Sequence, residues 1–546
     1  MTHTYKAMVV LWGIAVLGMI TAACAAPAAT PEPSYPPAAI EEVVAEPSPY
    51  YPAPAEAPPV APSTSGEAQV EKEQPCCPTA IHAYPTVAPP ATPWPDRPYP
   101  EYEVSPFLDT RYDHLSTFAM DVDTASYTKM REYINDNRLP PTDLVRVEEF
   151  INYFNMEYPD PESGAFSINL EGGPSPFGEE GVYLLKVGIQ GRHIPEWERK
   201  DAILTFVIDA SGSMREGNKM GMVKYGLRRL VDRLGPNDLV GIVAFSDNAW
   251  VVLEPISVRH RKHILRTIES LHPMASTNTE AGLRLGYDLA LHAYRDGAIN
   301  RVILASDGMA NVGITEPNVL VGYARDYYDR NVYLSTVGVG RGGYDDQFME
   351  QLADNGNGNY SYLDSPDAAE RIFSQDLSGT LQVIAKDAKI QVDFNPRAVY
   401  GYRLLGYENR AVADHDFRND AVDAGEVGAG HNVTALYELH LNLEGSEDVV
   451  TVRVRYEDPD THAVAEISKM FKQSDFQTDF SRTSPRFQLA ATVAQYAEIL
   501  RHSSWTWDES LDDVLGLARS VQRQLPFDPD VAEFVSLVER TTWLAR

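Results

Sequence analysis

Leu204-Thr-Phe-Val-Ile-Asp-Ala-Ser-Gly-Ser-Met214 joins an apolar, partly β-branched run (Ile203 to Ile208) to Asp209 and a turn of small polar residues, Ala210-Ser211-Gly212-Ser213. Past the turn, Met220, Val223, Leu227 and Leu230 recur at helical spacing, so a helix is expected to open near Asn218. A buried strand that stops at a carboxylate and two hydroxyls sets three hard oxygen groups at the carboxyl edge of a sheet. Open α/β sheets bind ligands at that edge. Oxygens from Asp and Ser suit Mg²⁺ or Mn²⁺, and Mg²⁺ keeps near-octahedral geometry with several waters retained.

The chain around this stretch alternates between the two periods. Strands are expected at Leu239 to Phe245, Val251 to Leu253, Arg301 to Ala305, Val332 to Val337 and Gly358 to Tyr362. Helices are expected at Arg261 to Leu271, Glu280 to Arg295, Asn318 to Arg330, Asp345 to Asp354 and Ala368 to Ile384. Such alternation is the pattern of a parallel, doubly wound α/β sheet. After Asp387 the texture becomes strand and turn: Ile390 to Phe394, Val399 to Leu405, Val433 to Leu443 and Val449 to Tyr456 read as an antiparallel β-sandwich. Phe166 to Leu170 and Val182 to Gln190 are strand-like too, and would complete that sandwich with the α/β domain inserted between them. Two early helices (from Ala125, and around Val147 to Phe154) and three late ones (Phe487 to Arg501, Leu511 to Gln524, Val531 to Thr541) are expected to pack as a bundle.

Two further segments fall at the edge where Asp209 stands. Met274-Ala-Ser-Thr-Asn-Thr-Glu280 places Thr277 just before a helix, and Ala305-Ser-Asp-Gly308 places Asp307 just after a buried strand. In order and spacing the three segments resemble the metal-site motifs of the von Willebrand factor type A (VWA) fold. The resemblance implies a metal-ion-dependent adhesion site. Ser211, Ser213 and Thr277 would bind the ion through their hydroxyls, and Asp209 and Asp307 mainly through water. Few charges would touch the metal directly, so it would stay electrophilic and accept an Asp or Glu carboxylate from a protein partner. Asp121-Val-Asp-Thr-Ala-Ser-Tyr127, Leu139-Pro-Pro141 and Val145 to Phe154 resemble the N-terminal extension of a bacterial VWA family. Gly428-Ala-Gly-His431 before Val433 to Glu438 resembles its C-terminal region. That family supplies architecture more than function, since many members lack an assigned biochemical role.

The N-terminus places the chain. Lys6 precedes an apolar Ala7 to Ile20, too short for a comfortable membrane span. Thr21-Ala-Ala-Cys24 then resembles a bacterial lipobox, with Thr21 where Leu is usual. An ordinary signal peptide cleaved near Ala23 is the alternative. The lipoprotein reading is preferred because the cysteine sits at the boundary and a linker follows. Several acyl chains on Cys24, at about 0.8 kcal/mol per buried CH₂, would hold an exported protein on the outward face of the bacterial membrane. Residues 25–104 are rich in Pro, Ala and Glu and lack the aliphatic content for a core, so a disordered linker is expected. Cys76 and Cys77 are adjacent within it, and neighbouring cysteines rarely bridge without strain. The expected divisions are therefore 1–24 (signal peptide), 25–104 (linker), 105–200 (N-terminal extension), 201–384 (VWA domain), 385–480 (β-sandwich) and 481–546 (C-terminal helices).

Charge and missing motifs narrow the function. The 546-residue chain carries a net charge of −32, which argues against a nucleic-acid partner, since phosphate binding needs clustered Lys and Arg. No G-x-S-x-G elbow and no G-x-x-x-x-G-K-[ST] loop is present. Asp121-Val-Asp-Thr124 also fits the nucleophile motif of haloacid-dehalogenase-like phosphatases. That fold needs an α/β sheet around this strand, yet a Pro-Pro break and short helices follow. The plainer reading has Asp121 and Asp123 capping the adjoining helix. His431 has no second His at metal-ligand spacing. A surface-tethered, non-enzymatic binding module is the preferred reading. The alternative is a scaffold subunit of a cell-envelope complex with the metal structural or absent.

Overall fold

The computed structural model describes residues 104–546 apart from 121–122, 179–180, 275, 309–316, 341–345, 377–380, 421, 423 and 507–509. Cys24, Cys76, Cys77, the linker expected before residue 104, Asp121 and Trp507 lie outside the described residues.

In chain order, β1 (Leu108–Asp109), β2 (Leu115–Ala119), α1 (Ala125–Asn135), α2 (Val147–Asn152), β3 (Phe166–Pro174) and β4 (Val182–Gly191) come first. The α/β domain follows as β5 (Ala202–Asp209), α3 (Lys219–Arg233), β6 (Leu239–Phe245), β7 (Ala249–Ser257), α4 (Arg261–Ser270), α5 (Thr279–His292), β8 (Ile299–Ser306), α6 (Pro317–Tyr328), β9 (Tyr333–Val339), α7 (Asp346–Asn355), β10 (Tyr360–Leu363) and α8 (Pro366–Arg371). Then come β11 (Val383–Phe394), β12 (Val399–Leu404), β13 (Glu426–Gly428), β14 (Asn432–Leu441), β15 (Asp448–Glu457), β16 (Val464–Lys472), α9 (Pro485–Leu500), α10 (Leu511–Gln524) and α11 (Pro529–Leu544).

The α/β sheet runs β10-β9-β8-β5-β6-β7. Every residue of β5 is buried, because helices cover both faces, the normal condition of a parallel sheet. Leu204, Phe206 and Ile208 face the core shared with Leu227, Ile264 and Phe373. Val207 faces the opposite core with Leu283, Leu320 and Leu352. Helix α5 lies so close to β5 that a Cβ on Gly286 would come within 2.2 Å of Val207, so only glycine fits. The chain leaves β5 toward β6 on one side and returns to β8 on the other. The carboxyl ends of β5 and β8 therefore form a topological switch point, where such sheets open a crevice.

Three expectations need correction. The sheet is not wholly parallel: β7 is antiparallel to β6, because the short link Ser246 to Asn248 cannot make a parallel crossover. It is also longer than the Val251 to Leu253 strand expected. The helix expected over Ala368 to Ile384 stops early. Ser365 caps α8 by accepting from Ala368 N–H (3.1 Å), with Pro366 in its first turn. A wide π-type turn, Ile372–Asp376, follows. The apolar run at Val383-Ile384 fits either period, and pairing of β11 with β13 and β15 decides for strand.

The α/β domain is inserted in a β-sandwich. One sheet runs β1-β12-β14-β4-β3 and the other β13-β11-β15-β16, with β2 also on β11. Strands from before and after the insertion meet directly: β4 pairs with β14 along Val182–Gln190. The two sheets share a core that includes Phe118, Ile168, Val187, Ile390, Val392, Val433 and Val452. Helices α1 and α2 pack with α9, α10 and α11 around Tyr127, Phe150, Phe154, Tyr496 and Phe534, the bundle expected from the apolar stripes. Trp505, on the segment between α9 and α10, is half-buried. It makes an edge contact with Phe107 and lies 5.5 Å from the Arg403 guanidinium.

Sandwich and bundle are joined by a buried ion triad. Arg403 on β12, 2 % exposed, donates to Glu438 on β14 (2.7 Å) and Glu498 on α9 (2.9 Å). Removing the guanidinium takes this partner from Glu438 and leaves Glu498 dependent on Arg501 (2.5 Å) in a low-dielectric site. Arg403→Met is expected to cost about 3–5 kcal/mol in urea unfolding. Adding Glu438→Gln should recover part of that loss, which a merely steric defect would not allow, whereas adding Glu498→Gln should not, because it removes the partner of the buried Arg501.

Candidate metal centre

Parallel pairing sets Ile208 on β5 beside Ala305 on β8, so both strands end together at the crevice with Asp209 and Ser306. Asp209 is fully buried. Its Oδ1 accepts from Ser211 N–H (2.7 Å), which closes the turn, and its Oδ2 accepts from the Ser306 hydroxyl (2.6 Å). Burial pushes the Asp209 carboxyl above its ordinary value. The bonds from Ser306 and Ser211 oppose that shift, and the nearby Asp307 charge adds to it.

A continuous chain of oxygens follows. The hydroxyls of Ser211 and Ser213 lie 2.9 Å apart, and Ser213 donates to Asp307 Oδ1 (2.8 Å). Ser213 has one proton and gives it to Asp307; the Ser211 hydroxyl can donate to Ser213 or to Asp209, and in either case both hydroxyl oxygens keep a lone pair available to a cation. Asp307 Oδ2 accepts from the Lys219 ammonium (2.7 Å).

Thr277 is buried on the loop before α5. That loop is pinned to the same edge: Met274 N–H donates to Ala210 C=O (2.6 Å) and Asn278 N–H to Ser246 C=O (2.8 Å). Asn278 in turn caps α5 through Ala281 N–H (3.1 Å). The structure thus gathers Asp209, Ser211, Ser213 and Asp307 into one hydrogen-bonded chain and brings the Thr277 loop against the turn that carries it. Cys24 lies outside the described residues.

The donor set fits a hard divalent cation: neutral hydroxyls with two carboxylates behind them. Among the described residues no group of three or more His, Cys, Asp and Glu side chains assembles that could hold a metal. The hydroxyl-rich edge is therefore the candidate.

Sequence reasoning missed two residues here. Ser306 was read only as part of a strand end, although a hydroxyl beside a strand-terminal carboxylate is a signal for its neighbour. Lys219 opens α3 after a left-handed turn at Gly217 and Asn218 (φ 55° and 61°). Only that turn, invisible in periodicity, aims its amine back at Asp307. The role expected for Asp123 is also corrected. It does not cap α1. It accepts from Tyr360 N–H on the sheet's edge strand (3.1 Å) and from Arg410 (3.0 Å). The first turn of α1 is instead served by Glu149, which accepts from Ser126 N–H (2.8 Å).

A model of the von Willebrand factor type A domain matches residues 204–375, and one described as von Willebrand factor matches 95–185. The model for the C-terminal part of uncharacterized protein YfbK matches 379–447 and 440–544. YfbK of Escherichia coli (strain K12) is 33 % identical over 470 residues, covering 81 % of this chain and 80 % of that protein. The chain belongs to the YfbK family of VWA-domain proteins. The Synechocystis protein sll0103 is 26 % identical over 282 residues, spanning 50 % of this chain and 66 % of its own length. Human inter-alpha-trypsin inhibitor heavy chain H6 is 25 % identical over 276 residues, 48 % of this chain and 20 % of that one. Among solved structures, a von Willebrand factor type A protein from Catenulispora acidiphila aligns over 68 % of this chain and 89 % of its own, at 15 % identity and a TM-score of 0.39.

Because burial raises Asp209, its ionised form is less favourable folded than unfolded. Its contribution opposes folding increasingly as pH rises above the ordinary value of 3.8 and levels off beyond the folded value. In EDTA, the stability of Asp209→Asn relative to wild type should therefore rise as pH increases from the ordinary carboxylate value upward. Thermal unfolding across that range checks it, and a pH-independent difference would contradict it.

Proposed function

We propose that this protein is a surface-tethered, non-enzymatic binding module. In this reading it holds Mg²⁺ or Mn²⁺ at the crevice and captures an Asp or Glu carboxylate of a protein partner. The single observation that carries the reading is the oxygen chain Ser211–Ser213–Asp307, whose oxygens lie 2.9 and 2.8 Å apart at the crevice. Ser211, Ser213 and Thr277 would hold the ion through their hydroxyls. Asp209 and Asp307 would act from behind, through water and by fixing the serines. When bound, the ion supplies a Lewis-acidic position for an external carboxylate.

This chain's own residues do the remaining work. The Ser306 hydroxyl keeps the buried Asp209 aligned, the Met274 and Asn278 amides hold the Thr277 loop in place, and the small Ala210 and Gly212 keep the turn short. The non-enzymatic reading is supported by Asp123, which is buried and already committed to a backbone amide and to Arg410. A carboxylate so engaged is a poor general acid or base, the role the second Asp of the phosphatase-like motif would play; the motif's nucleophile, Asp121, lies outside the described residues. Cys24 is proposed as the acylated residue that anchors the exported protein.

Three outcomes follow. Titration calorimetry with MnCl₂ should give one site per chain, and Ser213→Ala should weaken it tenfold or more, about 1.4 kcal/mol. Capture from cell-surface extract should yield partners that vanish with EDTA and with Asp209→Ala. Partners retained in both samples would favour the scaffold alternative. Palmitate labelling of cells expressing the protein should disappear with Cys24→Ala, and persistence of the label would remove the proposed anchor.

A further inference from the structure

Asp307 accepts from two sides. Ser213 takes Oδ1 and the Lys219 ammonium takes Oδ2 at 2.7 Å, with the Lys219 and Asp307 side chains only 11 % and 2 % exposed. An ammonium is thus built into the hydrogen-bonded chain that carries the candidate metal ligands. The placement is fixed by backbone rather than left to a flexible side chain. Lys219 is the first residue of α3, after the left-handed turn at Gly217 and Asn218. Its stem lies against Gly340 (φ +78°), where a Cβ would approach within 2.3 Å of Lys219 Cε. Tyr362 in turn donates its hydroxyl to the Gly340 carbonyl and steadies that contact. The other cation of the turn, Arg215, is exposed and donates instead to the Pro273 carbonyl at 3.4 Å.

The surroundings give this charge a purpose. Lys219 also lines a cleft of about 1360 Å³ whose wall carries Glu132, Glu216 and Asp367 as well as Arg131, Arg371 and Arg486, with carboxylates in the majority. The whole chain carries −32. A carboxylate approaching this edge therefore crosses an unfavourable field. Two carboxylates, Asp209 and Asp307, would balance the charge of a divalent ion, so a third would be drawn by coordination alone, without net charge to help it. With Lys219 included, the loaded site is left one positive charge in excess.

We propose that Lys219 is a charge-setting, positioning residue of the metal site: it stays on the outer oxygen of Asp307, weakening metal affinity while making the loaded site attractive to an anionic ligand. This rests on the metal-binding reading given above. It assigns the site a specificity, for anionic over neutral ligands, that the hydroxyls and aspartates alone do not provide.

The test uses the full chain stripped of metal, as wild type and as Lys219→Gln, Lys219→Met and Lys219→Arg. Gln keeps a hydrogen-bond donor without the charge, Met keeps the apolar stem, and Arg keeps the charge. Thermal unfolding verifies that each variant is folded. Calorimetry with MnCl₂ reads metal affinity. Paramagnetic broadening of N-acetyl-glutamate amide, against its glutamine counterpart, reads anion capture by the Mn²⁺-loaded protein. The two neutral variants should bind Mn²⁺ about 3- to 10-fold more tightly and the glutamate probe about 3- to 10-fold more weakly, the second effect shrinking at high salt. Lys219→Arg should behave as wild type. Wild type that binds Mn²⁺ while the neutral variants match it in both readouts would overturn the role of Lys219 alone. Neutral variants that lose metal affinity would likewise overturn it. A wild type that takes up no Mn²⁺ would remove the metal-binding reading and this inference with it.

Discussion

Asp209 sits at the end of a fully buried strand with no exposure to solvent, and the site is arranged around that constraint. A carboxylate taken out of water must be matched by hydrogen bonds or it destabilises the fold. Here one oxygen is matched by the Ser211 amide and the other by the Ser306 hydroxyl. The first bond shapes the turn that presents Ser211 and Ser213. The second locks the end of β5 to the end of β8, which delivers Asp307. One buried charge thereby positions three other polar groups.

The parts of the molecule outside the α/β domain grip it through charge as well as through apolar packing. Arg131 on α1 makes a two-pronged pair with Asp364, just after β10 (2.9 and 2.7 Å). Arg146 bridges Glu149 and Glu350 (3.0 and 2.6 Å). Asp123 covers the backbone of the edge strand β10 at Tyr360. An exposed sheet edge invites association with other chains, and here a side-chain carboxylate and α1 occupy it. Lys129 is enclosed in the same junction, 5.5 and 5.3 Å from the rings of Tyr360 and Tyr362. Burial there pushes its ammonium down to about 7, partly offset by Glu149 and Glu350. The binding crevice is thus carried on a domain clamped along its edge strand by an element that precedes it in sequence.

Much of this was legible in the sequence because the signals were local and strong. The β5 run, its terminal Asp209 and the apolar face of α3 follow from periodicity and composition over short windows. The insertion of the α/β domain between β4 and β11 was legible from the change in texture after Asp387. What was not legible depended on contacts far apart in the chain. Val383-Ile384 is apolar under either period, and only pairing with β13 and β15 makes it strand. β16 mixes apolar and charged residues without strict alternation and is mostly exposed, so no two-residue period marks it as a strand. The first turn of α1 is served by Glu149, 23 residues away, rather than by the nearer Asp123. Lys219 was hidden for the same reason: a left-handed turn, not a spacing, directs it to Asp307.

The central claim is that a divalent ion belongs among the Ser211, Ser213 and Thr277 hydroxyls, with Asp209 and Asp307 behind them. Crystals of the protein soaked in MnCl₂ and measured at the manganese edge test it most directly. The account predicts one strong anomalous peak enclosed by those three hydroxyl oxygens, with both aspartates farther from it than the serines. No peak at the crevice, or manganese bound only at surface carboxylates while Ser211, Ser213 and Asp307 keep their mutual hydrogen bonds, would contradict it.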